Sequence, residues 1–569
     1  MGTTAAIYYN REGYDTGGQR LLGRQAAGEG FLKGLVRYGT AEHLYCQAAT
    51  RGEFQDFCRR IEPWMPRPRA VRWLPLHQPQ ALTEAGTLYF PSPGLSPLAW
   101  QRQYGDPRSY SLCGVTHTTA STAVMQAVGD LFIAPFQPWD AIVCTSNAVK
   151  TWMESLLERW GDYLAQRIGG TPHTEIQLPV IPLGVDCEAF LSGEEAQRVR
   201  HQWRQRLGIP PEAIVVLFVG RLIAHAKAHP VPMYLALERV AQSTRQPLYL
   251  IQSGWFEFPE HEAAFKQTAA AFCPSVRVGF LDGRQPDLRR SIWYAADILI
   301  SLADNIQETF GLVPIEAMAA GLPVVVSDWN GYKESVRHGI DGFRVPTLLP
   351  PPGCALELGL QHFEGSLNYS TYIGHTASLT AVDVEACTQA LKVLVENAEL
   401  RQQMGENGRR RAREVYDWQG VIAAYEALWA ELAQVRSCGD TAGRSRGVPT
   451  VSRPQDRSPY PLADDPLRLF SHYPTHTLTD DRQVSWGAMA APEARRQLGA
   501  FAMNQVGAGL RVGEEDLEAI LEAIGEGGSR SVAEIVRQLG RSPSSHPHRI
   551  YRTIVYLVKF DILRLTHRS

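Results

Sequence analysis

Short apolar runs of strand length alternate with helical patterns through about the first 435 residues of the chain. The clearest runs cover residues 5–9, 141–145, 214–219, 248–252, 298–302 and 323–327. Strands that are apolar on both faces are typical of parallel sheets whose two faces are covered by helices. The alternation therefore predicts an α/β fold built from doubly wound parallel sheets.

The apolar runs fall into two series, which predicts two such domains. The first series opens with a strand, the glycine pair Gly17 and Gly18, and a helical pattern. The second series starts afresh after a charged, helix-like stretch over residues 194–207. With 569 residues, of which 44% are hydrophobic, the chain has material for several cores rather than one. We expect domains over residues 1–200 and 201–435.

The composition changes after the second series. Residues 437–460 contain no Leu, Ile or Phe, so we expect a flexible linker over residues 436–460. Apolar residues then return at helical spacing and end in a strand-like run, over residues 514–524, 531–539, 550–557 and 562–565. This order is similar to that of winged helix-turn-helix modules. It predicts a separate, mainly α accessory domain over residues 461–569.

The end of the chain carries an excess of positive charge. Residues 541–569 contain six Lys or Arg and one acidic residue, Asp561, and a basic end on such a module is typical of nucleic-acid binding. The stretch over residues 514–522 is acidic, which favours a protein contact or a homo-oligomer interface over nucleic acid. A basic face also suits an anionic membrane surface. All three kinds of partner remain open, and a protein contact is the expectation.

Nine cysteines are scattered along the chain, and none stands in a C-x-x-C pair. Such a set favours reduced thiols over a disulfide framework or a zinc site. The first ten residues lack both the basic and the apolar segment of a secretory signal, and no apolar run is long enough to span a bilayer. We therefore expect a cytoplasmic protein.

The strongest chemical pattern lies within residues 304–328. Pro314 suits the first turn of a helix, and Gly321 suits the position just after its end. Amides at a helix start lack intrahelical partners and lie at the positive end of the helix dipole, which favours a bound diphosphate. The expected donor-binding residues of this helix entry are Thr309, Phe310, Gly311 and Leu312.

Two glutamates flank this helix entry. Glu316 lies about one turn inside the predicted helix, where its carboxylate can accept hydrogen bonds from ribose hydroxyls. Glu308 lies before the helix and can accept from sugar hydroxyls. Acidic residues near a helix start also complement the dipole in proteins that bind nothing there. The two glutamates alone therefore leave both interpretations open.

The whole string over residues 307–325, QETFGLVPIEAMAAGLPVV, carries more information than its two glutamates. It resembles the signature of glycosyltransferase family 4, in which seven residues separate two Glu. Residues 181–186 (IPLGVD) and 406–418 resemble further segments of that family, so the likeness spans about residues 1–435. It implies the GT-B architecture: an acceptor domain and a nucleotide-sugar donor domain face each other across a cleft, and the last helices cross back.

The basic pair of the family and two of its N-terminal features also have counterparts. Arg221 and Lys227 resemble the cations that hold the donor diphosphate, although Lys227 follows Arg221 by six residues rather than the usual five. Gly17 and Gly18 lie where the family has a glycine loop beside the donor phosphate and the acceptor. His117 aligns with a histidine beside the transferred sugar, whereas a lone histidine is more often structural.

The resemblance implies a retaining glycosyltransferase of the hexosyltransferase type, which moves a sugar from a nucleotide sugar to an acceptor hydroxyl. No Asp-x-Asp motif occurs in residues 1–435, so we expect a metal-independent reaction. No cofactor is expected beyond the UDP-, GDP- or ADP-linked donor. The alternative is a sugar-nucleotide-sensing regulator with a DNA-binding C-terminal module. The expected catalytic residues are His117, Glu308, Arg221 and Lys227, and Glu316, Gly17 and Gly18 are expected to bind the donor.

Overall fold

The first domain is built on a six-stranded parallel sheet. The structure is a computed structural model that describes residues 4–16, 23–438, 458–539 and 546–566. The strands of this sheet are β1 (Thr4–Tyr8), β2 (His43–Ala48), β3 (Ala70–Pro75), β4 (Gly86–Phe90), β5 (Ser111–Val115) and β6 (Ala141–Val143). They are ordered β3-β2-β1-β4-β5-β6, and each neighbouring pair is parallel.

The second domain repeats the same plan. Its strands are β7 (Ile214–Val219), β8 (Leu248–Gly254), β9 (Arg277–Asp282), β10 (Ile298–Ser301), β11 (Val324–Ser327) and β12 (Gly342–Val345). They are all parallel and are ordered β12-β11-β10-β7-β8-β9. The strand order therefore reverses once in each sheet, as in Rossmann-like domains. The two sheets confirm the predicted α/β fold class.

Helices cover both faces of each sheet. Those of the first domain are α1 (Arg11–Tyr14), α2 (Gly23–Tyr38), α3 (Arg51–Ile61), α4 (Ser96–Arg102), α5 (Thr122–Gly129) and α6 (Asn147–Ile168). Those that follow are α7 (Gly193–Leu207), α8 (Pro230–Ser243), α9 (Pro259–Phe272), α10 (Pro286–Ser291), α11 (Leu312–Ala320), α12 (Tyr332–Ser335), α13 (Leu356–Phe363), α14 (Tyr369–Ser378), α15 (Val384–Glu396), α16 (Ala398–Val415) and α17 (Trp418–Ser437).

Strand β7 shows why its sequence is continuously apolar. Val215 and Leu217 belong to one hydrophobic cluster, whereas Val216 and Phe218 belong to another on the opposite face of the sheet. Because successive side chains of a strand point to opposite faces, a strand covered on both sides needs apolar residues at every position. The same rule explains the Val324–Ser327 strand, in which every residue is buried.

Two helices define where the domains meet. Helix α7 contains residue 200 and packs on the second domain, since Trp203 belongs to the same cluster as the strands there. Helix α17 begins after its cap, Asp417, and packs on the first domain, where Tyr425 contacts Phe31 with ring centroids 5.0 Å apart. The last long helix of the second domain thus covers the core of the first.

A segment over residues 349–380, here called the excursion, leaves the second domain after β12 and returns to it. Strands β13 (Thr347–Leu348) and β14 (Ala381–Val382) pair antiparallel and close its base. Helices α13 and α14 lie between them in the chain. Among the described residues, no helix combines the length and the apolar character needed to cross a bilayer.

Residues 454–569 form a separate compact unit. Its helices are α18 (Pro466–Leu469), α19 (Pro492–Gly499), α20 (Glu514–Ile524), α21 (Val532–Leu539) and α22 (Pro547–Lys559), and its antiparallel sheet is ordered β16 (Ser529–Ser531), β15 (Gln483–Trp486) and β17 (Leu563–Thr566). Helices α20 to α22 and β17 lie close to the predicted segments. The central strand β15 was not predicted, and the likeness to a winged helix stays a prediction. Most of the predicted linker, residues 439–457, lies outside the described residues, and helix α17 includes 436 and 437.

Candidate functional site

The site lies where the strand order of the second sheet reverses. Strands β7 and β10 are neighbours there, with Ile298 opposite Val216, and the loops that follow them leave the same edge of the sheet. Ligands of open α/β sheets bind at the carboxyl ends of strands at such a point. The loop after β7 carries Arg221 and Lys227, and the loop after β10 carries Glu308.

These two loops bring Lys227 and Glu308 into direct contact. The Lys227 Nζ donates to Glu308 Oε2 at 2.5 Å, and the two side chains are 18% and 14% exposed. Burial lowers the pKa of Lys227, but the Glu308 carboxylate outweighs burial and holds that pKa above its usual value. Burial raises the pKa of Glu308, but Lys227 and the nearby amides hold it below its usual value. Both residues are therefore ionised at neutral pH.

Arg221 lies on the same loop without a carboxylate partner. Its Nη2 donates to the Ala226 carbonyl at 3.2 Å, which folds the loop back on itself. Burial lowers the pKa of Arg221, yet a guanidinium remains protonated at neutral pH. Within the described ranges no ion pair involves Arg221. The charges of Glu257 and Glu308 act on Arg221 and oppose the effect of burial, but a partly buried cation that forms no direct ion pair is suited to an anionic ligand.

Helix α11 starts beside these charges. Its N-cap, Gly311, has φ 88°, and a Cβ there would lie 1.9 Å from a ring carbon of Tyr332. Only glycine fits this position, and Gly321 closes the helix with φ 87°. The Phe310 and Thr309 amides help to hold the pKa of Glu308 below its usual value. The predicted helix entry is therefore present, and its binding of a diphosphate stays a prediction.

Two further carboxyl groups near the helix have strongly raised pKa values. Burial raises the pKa of Glu316 to about 7, against the opposing influence of Lys227 and Arg289. Burial also raises the pKa of Asp304 to about 7, and the Asp304 Oδ2 accepts from the His229 amide at 3.2 Å. Both groups are only partly ionised at neutral pH. Their partial protonation reduces the negative charge near Arg221 and Lys227.

The first domain reaches the same helix entry. The Thr309 Oγ1 donates to the His117 carbonyl at 3.0 Å, and the Ser146 hydroxyl donates to the Thr309 carbonyl at 3.1 Å. Burial, followed by the charge of Arg24, lowers the pKa of His117 to about 4. The imidazole is neutral at pH 7 and can accept or donate one hydrogen bond. The structure thus brings His117 and Thr309 together across the cleft.

Glu334 also joins the domains beside the site. Its carboxylate accepts from the amides of Asn147 and Ala148, each at 3.0 Å, and from the Asn147 side chain at 2.8 Å. These amides lie at the N-terminus of α6, where an acidic group is favoured. The sequence named neither Glu334 nor Ser146 as a site residue, because each makes its contact with a residue distant in sequence.

Two predictions about the site stay open. Gly17 and Gly18 lie outside the described residues, so their contact with a ligand remains a prediction. Across the described ranges, no group of three or more His, Cys, Asp or Glu is arranged to hold a metal ion. Metal independence is a statement about the reaction and likewise remains a prediction.

Comparison with known proteins identifies a family segment at this site. Residues 199–348 match the model of the family described as Glycosyl transferases group 1. D-inositol 3-phosphate glycosyltransferases are among the curated relatives: that of Corynebacterium efficiens is 26% identical over 48% of this chain and 55% of its own, and that of Rhodococcus jostii is 30% identical over 37% and 47%. The chain thus spans about half the length of these relatives. The matched segment contains Arg221, Lys227 and Glu308.

Solved structures resemble the chain more distantly. Anabaena HepE in complex with UDP is 16% identical, with 76% of this chain and all of that chain covered and a TM-score of 0.48. A sucrose-phosphate synthase from Thermosynechococcus elongatus is 18% identical, with 75% and 99% covered and a TM-score of 0.46.

Proposed function

We propose that this chain transfers a sugar from a nucleotide sugar to an acceptor hydroxyl, and that its second domain binds the donor. One observation carries the proposal: Arg221, Lys227 and the start of α11 converge at the point where the second sheet reverses its strand order. A nucleotide diphosphate needs fixed positive charge and free amides, and this point of the cleft supplies both.

The positive groups have a direct role in bond cleavage. As the bond between the anomeric carbon and the diphosphate oxygen breaks, negative charge grows on the departing oxygens. Arg221 can contact them through two parallel N–H groups, and Lys227 acts as a point charge. Groups that are held in place before the reaction stabilise such charge more than water does. Because these cations meet the phosphate charge, we propose that the reaction needs no metal ion.

The transferred sugar lies between Glu308 and His117 in this proposal. The Glu308 carboxylate accepts hydrogen bonds from sugar hydroxyls, and the neutral imidazole of His117 contacts another hydroxyl from the first domain. The acceptor oxygen forms its bond to the anomeric carbon on the face that the diphosphate leaves, so that the configuration is retained. Its proton passes to a departing phosphate oxygen. Glu316 accepts from the ribose hydroxyls.

The C-terminal unit is proposed to contact protein rather than DNA. Arg564 pairs with Asp561, with its Nε 2.6 Å from Oδ1, and Arg549 donates to the carbonyls of Arg511 and Gly509. Part of the basic surface that suggested nucleic acid is therefore used inside the unit. This observation favours the enzyme over the sugar-sensing regulator.

The direct test is a screen of donors against the full-length protein. UDP-, GDP- and ADP-sugars are added in a thermal-shift assay, and the donor that stabilises the protein is then used for transfer. D-inositol 3-phosphate is included among the acceptors because the curated relatives are named for it. We expect one nucleotide class to raise the melting temperature, and transfer to persist in excess EDTA. Failure of all three classes to bind would overturn the proposed function.

A further inference from the structure

The excursion that holds α13 and α14 lies over the cleft and contacts both domains. Leu348 pairs with Ala381 at its base, so the excursion leaves and rejoins the second domain at one place. The inner side of α14 contributes Ile373 to a small hydrophobic cluster with Ala120 of the first domain and with Ile223 and Ala226 of the second. Ile223 and Ala226 lie between Arg221 and Lys227 in the loop that carries both cations.

Polar contacts fix the excursion in this position. The Thr122 hydroxyl of the first domain lies 3.1 Å from His362 Nε2, and the other ring nitrogen of His362 lies 3.1 Å from the Leu367 carbonyl. The ring of His362 stacks on that of Tyr372, with centroids 4.3 Å apart. The Ser370 hydroxyl lies 3.0 Å from His225 Nε2. The excursion is thus tied to the rim of the cleft on both sides.

Tyr369, the first residue of α14, has a buried hydroxyl whose hydrogen-bonding capacity is not used by the described residues. Its ring packs against the same small cluster, beside the loop of Arg221. Its hydroxyl oxygen is buried and has no hydrogen-bond partner among the described residues. Buried polar groups in folded proteins are nearly always hydrogen-bonded, and leaving one unpaired is costly. Ile223 and Ala226 of this cluster belong to the Arg221 loop, and Arg221 and Tyr369 also influence each other electrostatically.

We propose, on the basis of the proposed function, that Tyr369 is a donor-binding residue whose hydroxyl donates a hydrogen bond to the diphosphate beside Arg221. A phosphate oxygen is a strong acceptor, and a phenol can donate to it while Arg221 balances its charge. Burial raises the pKa of Tyr369 to about 12, so the proton is present throughout the physiological range. The excursion then serves as a cover that adds a neutral donor to the two cations.

The test compares Tyr369→Phe with Tyr372→Phe in the full-length protein. Both changes remove one hydroxyl from the same helix, and both rings pack against the same small cluster, but of the two hydroxyls only that of Tyr369 is buried without a hydrogen-bond partner among the described residues. Affinities for UDP, GDP and ADP, and for the nucleoside of whichever binds best, are measured by calorimetric titration. We expect Tyr369→Phe to weaken diphosphate binding about tenfold or more, as for a hydrogen bond to a charged group. Nucleoside binding stays unchanged, and Tyr372→Phe binds the diphosphate like the wild type.

The outcomes separate the inference from the proposed function. If the wild type binds a nucleoside diphosphate and Tyr369→Phe binds it equally well, the inference is wrong while the function stands. Equal weakening of nucleoside and diphosphate would mean that Tyr369 only supports the fold, and would also overturn the inference. If the wild type binds none of the three diphosphates, the proposed function fails first. A double-mutant cycle with Arg221→Lys gives a second readout. If both groups contact one phosphate, the losses of diphosphate binding free energy in the two single variants should not add up to the loss in the double variant. Additive losses contradict the inference.

Discussion

Lys227 and Glu308 depend on each other before any ligand binds. Removing the lysine would leave the carboxylate partly buried without its counter-charge, and removing the carboxylate would leave the lysine in the same state. A diphosphate that enters the site offers Lys227 a second anionic partner. In the proposed function, the pair keeps the cation charged and in place before the donor binds, as expected for a preorganised site.

The first prediction concerns the cations of the site. Arg221→Ala and Lys227→Ala should each lower the turnover number of sugar transfer by on the order of a hundredfold, because each removes charge that stabilises the leaving group. Arg239→Ala is the control, since Arg239 forms an exposed pair with Glu385 at 3.2 Å on the surface and such pairs contribute little. Near-normal turnover in both site variants, measured at saturating donor, would contradict the assigned roles.

The second prediction is a pH dependence that comes from Glu316. The carboxylate form accepts two ribose hydroxyls better than the acid form, and the pKa of Glu316 in the free protein is raised to about 7. Nucleoside affinity should therefore rise as the pH increases from about 6 to about 8, by up to tenfold. The measurement uses the nucleoside alone, because a diphosphate titrates in the same range.

Two variants assign this pH dependence to one residue. Glu316→Gln should bind the nucleoside more weakly at pH 8 and show a flat profile. Asp304→Asn should keep the slope, although the pKa of Asp304 is also raised to about 7, because Asp304 has no assigned contact with the ribose. A sloping profile in Glu316→Gln would show that another group titrates.

The sequence predicted some of these residues better than others. Arg221, Lys227 and Glu308 were predicted as site residues because each stands in a motif, and parallel pairing of β7 with β10 is enough to bring their loops together. Tyr369 stands in no motif, and its position depends on how an excursion folds back over the cleft. Ser146 also acts only through a contact across the cleft, with the Thr309 carbonyl. Such contacts depend on how whole helices and strands pack against one another. A local pattern of residues does not show that packing.

At the scale of elements, the start of α11 depends on Gly311. Its φ of 88° is unfavourable for other residues, and a Cβ would overlap the ring of Tyr332. Tyr332 is itself held, with its hydroxyl 2.9 Å from that of Ser301. The helix entry therefore cannot relax away from an added methyl group without moving the amides that are proposed to bind the diphosphate.

The third prediction follows from this geometry. Gly311→Ala should lower the free energy of unfolding by about 1–3 kcal/mol from backbone strain, with a further loss from the overlap, and should abolish measurable diphosphate binding. Gly208→Ala is the matched control, because Gly208 has φ 62° but open space around its Cβ position. We expect the control to lose stability only, as measured by denaturant unfolding. Normal binding by a folded Gly311→Ala would contradict the role of this entry.

The fourth prediction concerns the excursion as a whole. Because β13 and β14 are paired antiparallel, a two-residue Asn-Gly turn can join Leu348 to Ala381 and replace the excursion. The second domain should stay folded, since its two large clusters contain no residue of the excursion. Diphosphate affinity should fall at least as far as in Tyr369→Phe. Unchanged affinity in the folded deletion variant would show that the cover does not contact the donor.

Element prediction succeeded where the local pattern was strong. Strand β7 was predicted with its observed bounds because its six residues are all apolar. The first five are buried and the last, Val219, is partly buried. Strand β9 was not predicted, since it lies at the sheet edge with exposed Arg277 and Asp282 among its residues. Strand β15 was missed because its pairing with β16 and β17 is non-local. A strand at the edge of a sheet, or one that pairs only with segments distant in sequence, is therefore hard to predict from a local pattern of residues.

At the scale of the whole molecule, the chain divides into two compact units, residues 1–453 and 454–569. The first unit is held together across its cleft by α17, whose Trp418 packs so closely on Gly184 that a Cβ there would lie 2.4 Å from the ring. The second unit has a core of its own, centred on Val484, Ile520 and Ile554. Every residue proposed to bind or transfer the sugar belongs to the first unit.

The fifth prediction is that the two units fold and act separately. A protein of residues 1–453 should keep the donor affinity and transfer rate of the full chain, and residues 454–569 should unfold cooperatively in calorimetry, because each unit buries its own apolar core. In filter binding at rising salt, the second unit should retain no duplex DNA, since Arg549 and Arg564 are already engaged within it. Salt-dependent retention of DNA would restore the regulator as an explanation for this unit. Loss of transfer by a folded 1–453 protein would instead show that the second unit takes part in catalysis, and the site described between the two sheets would then be incomplete.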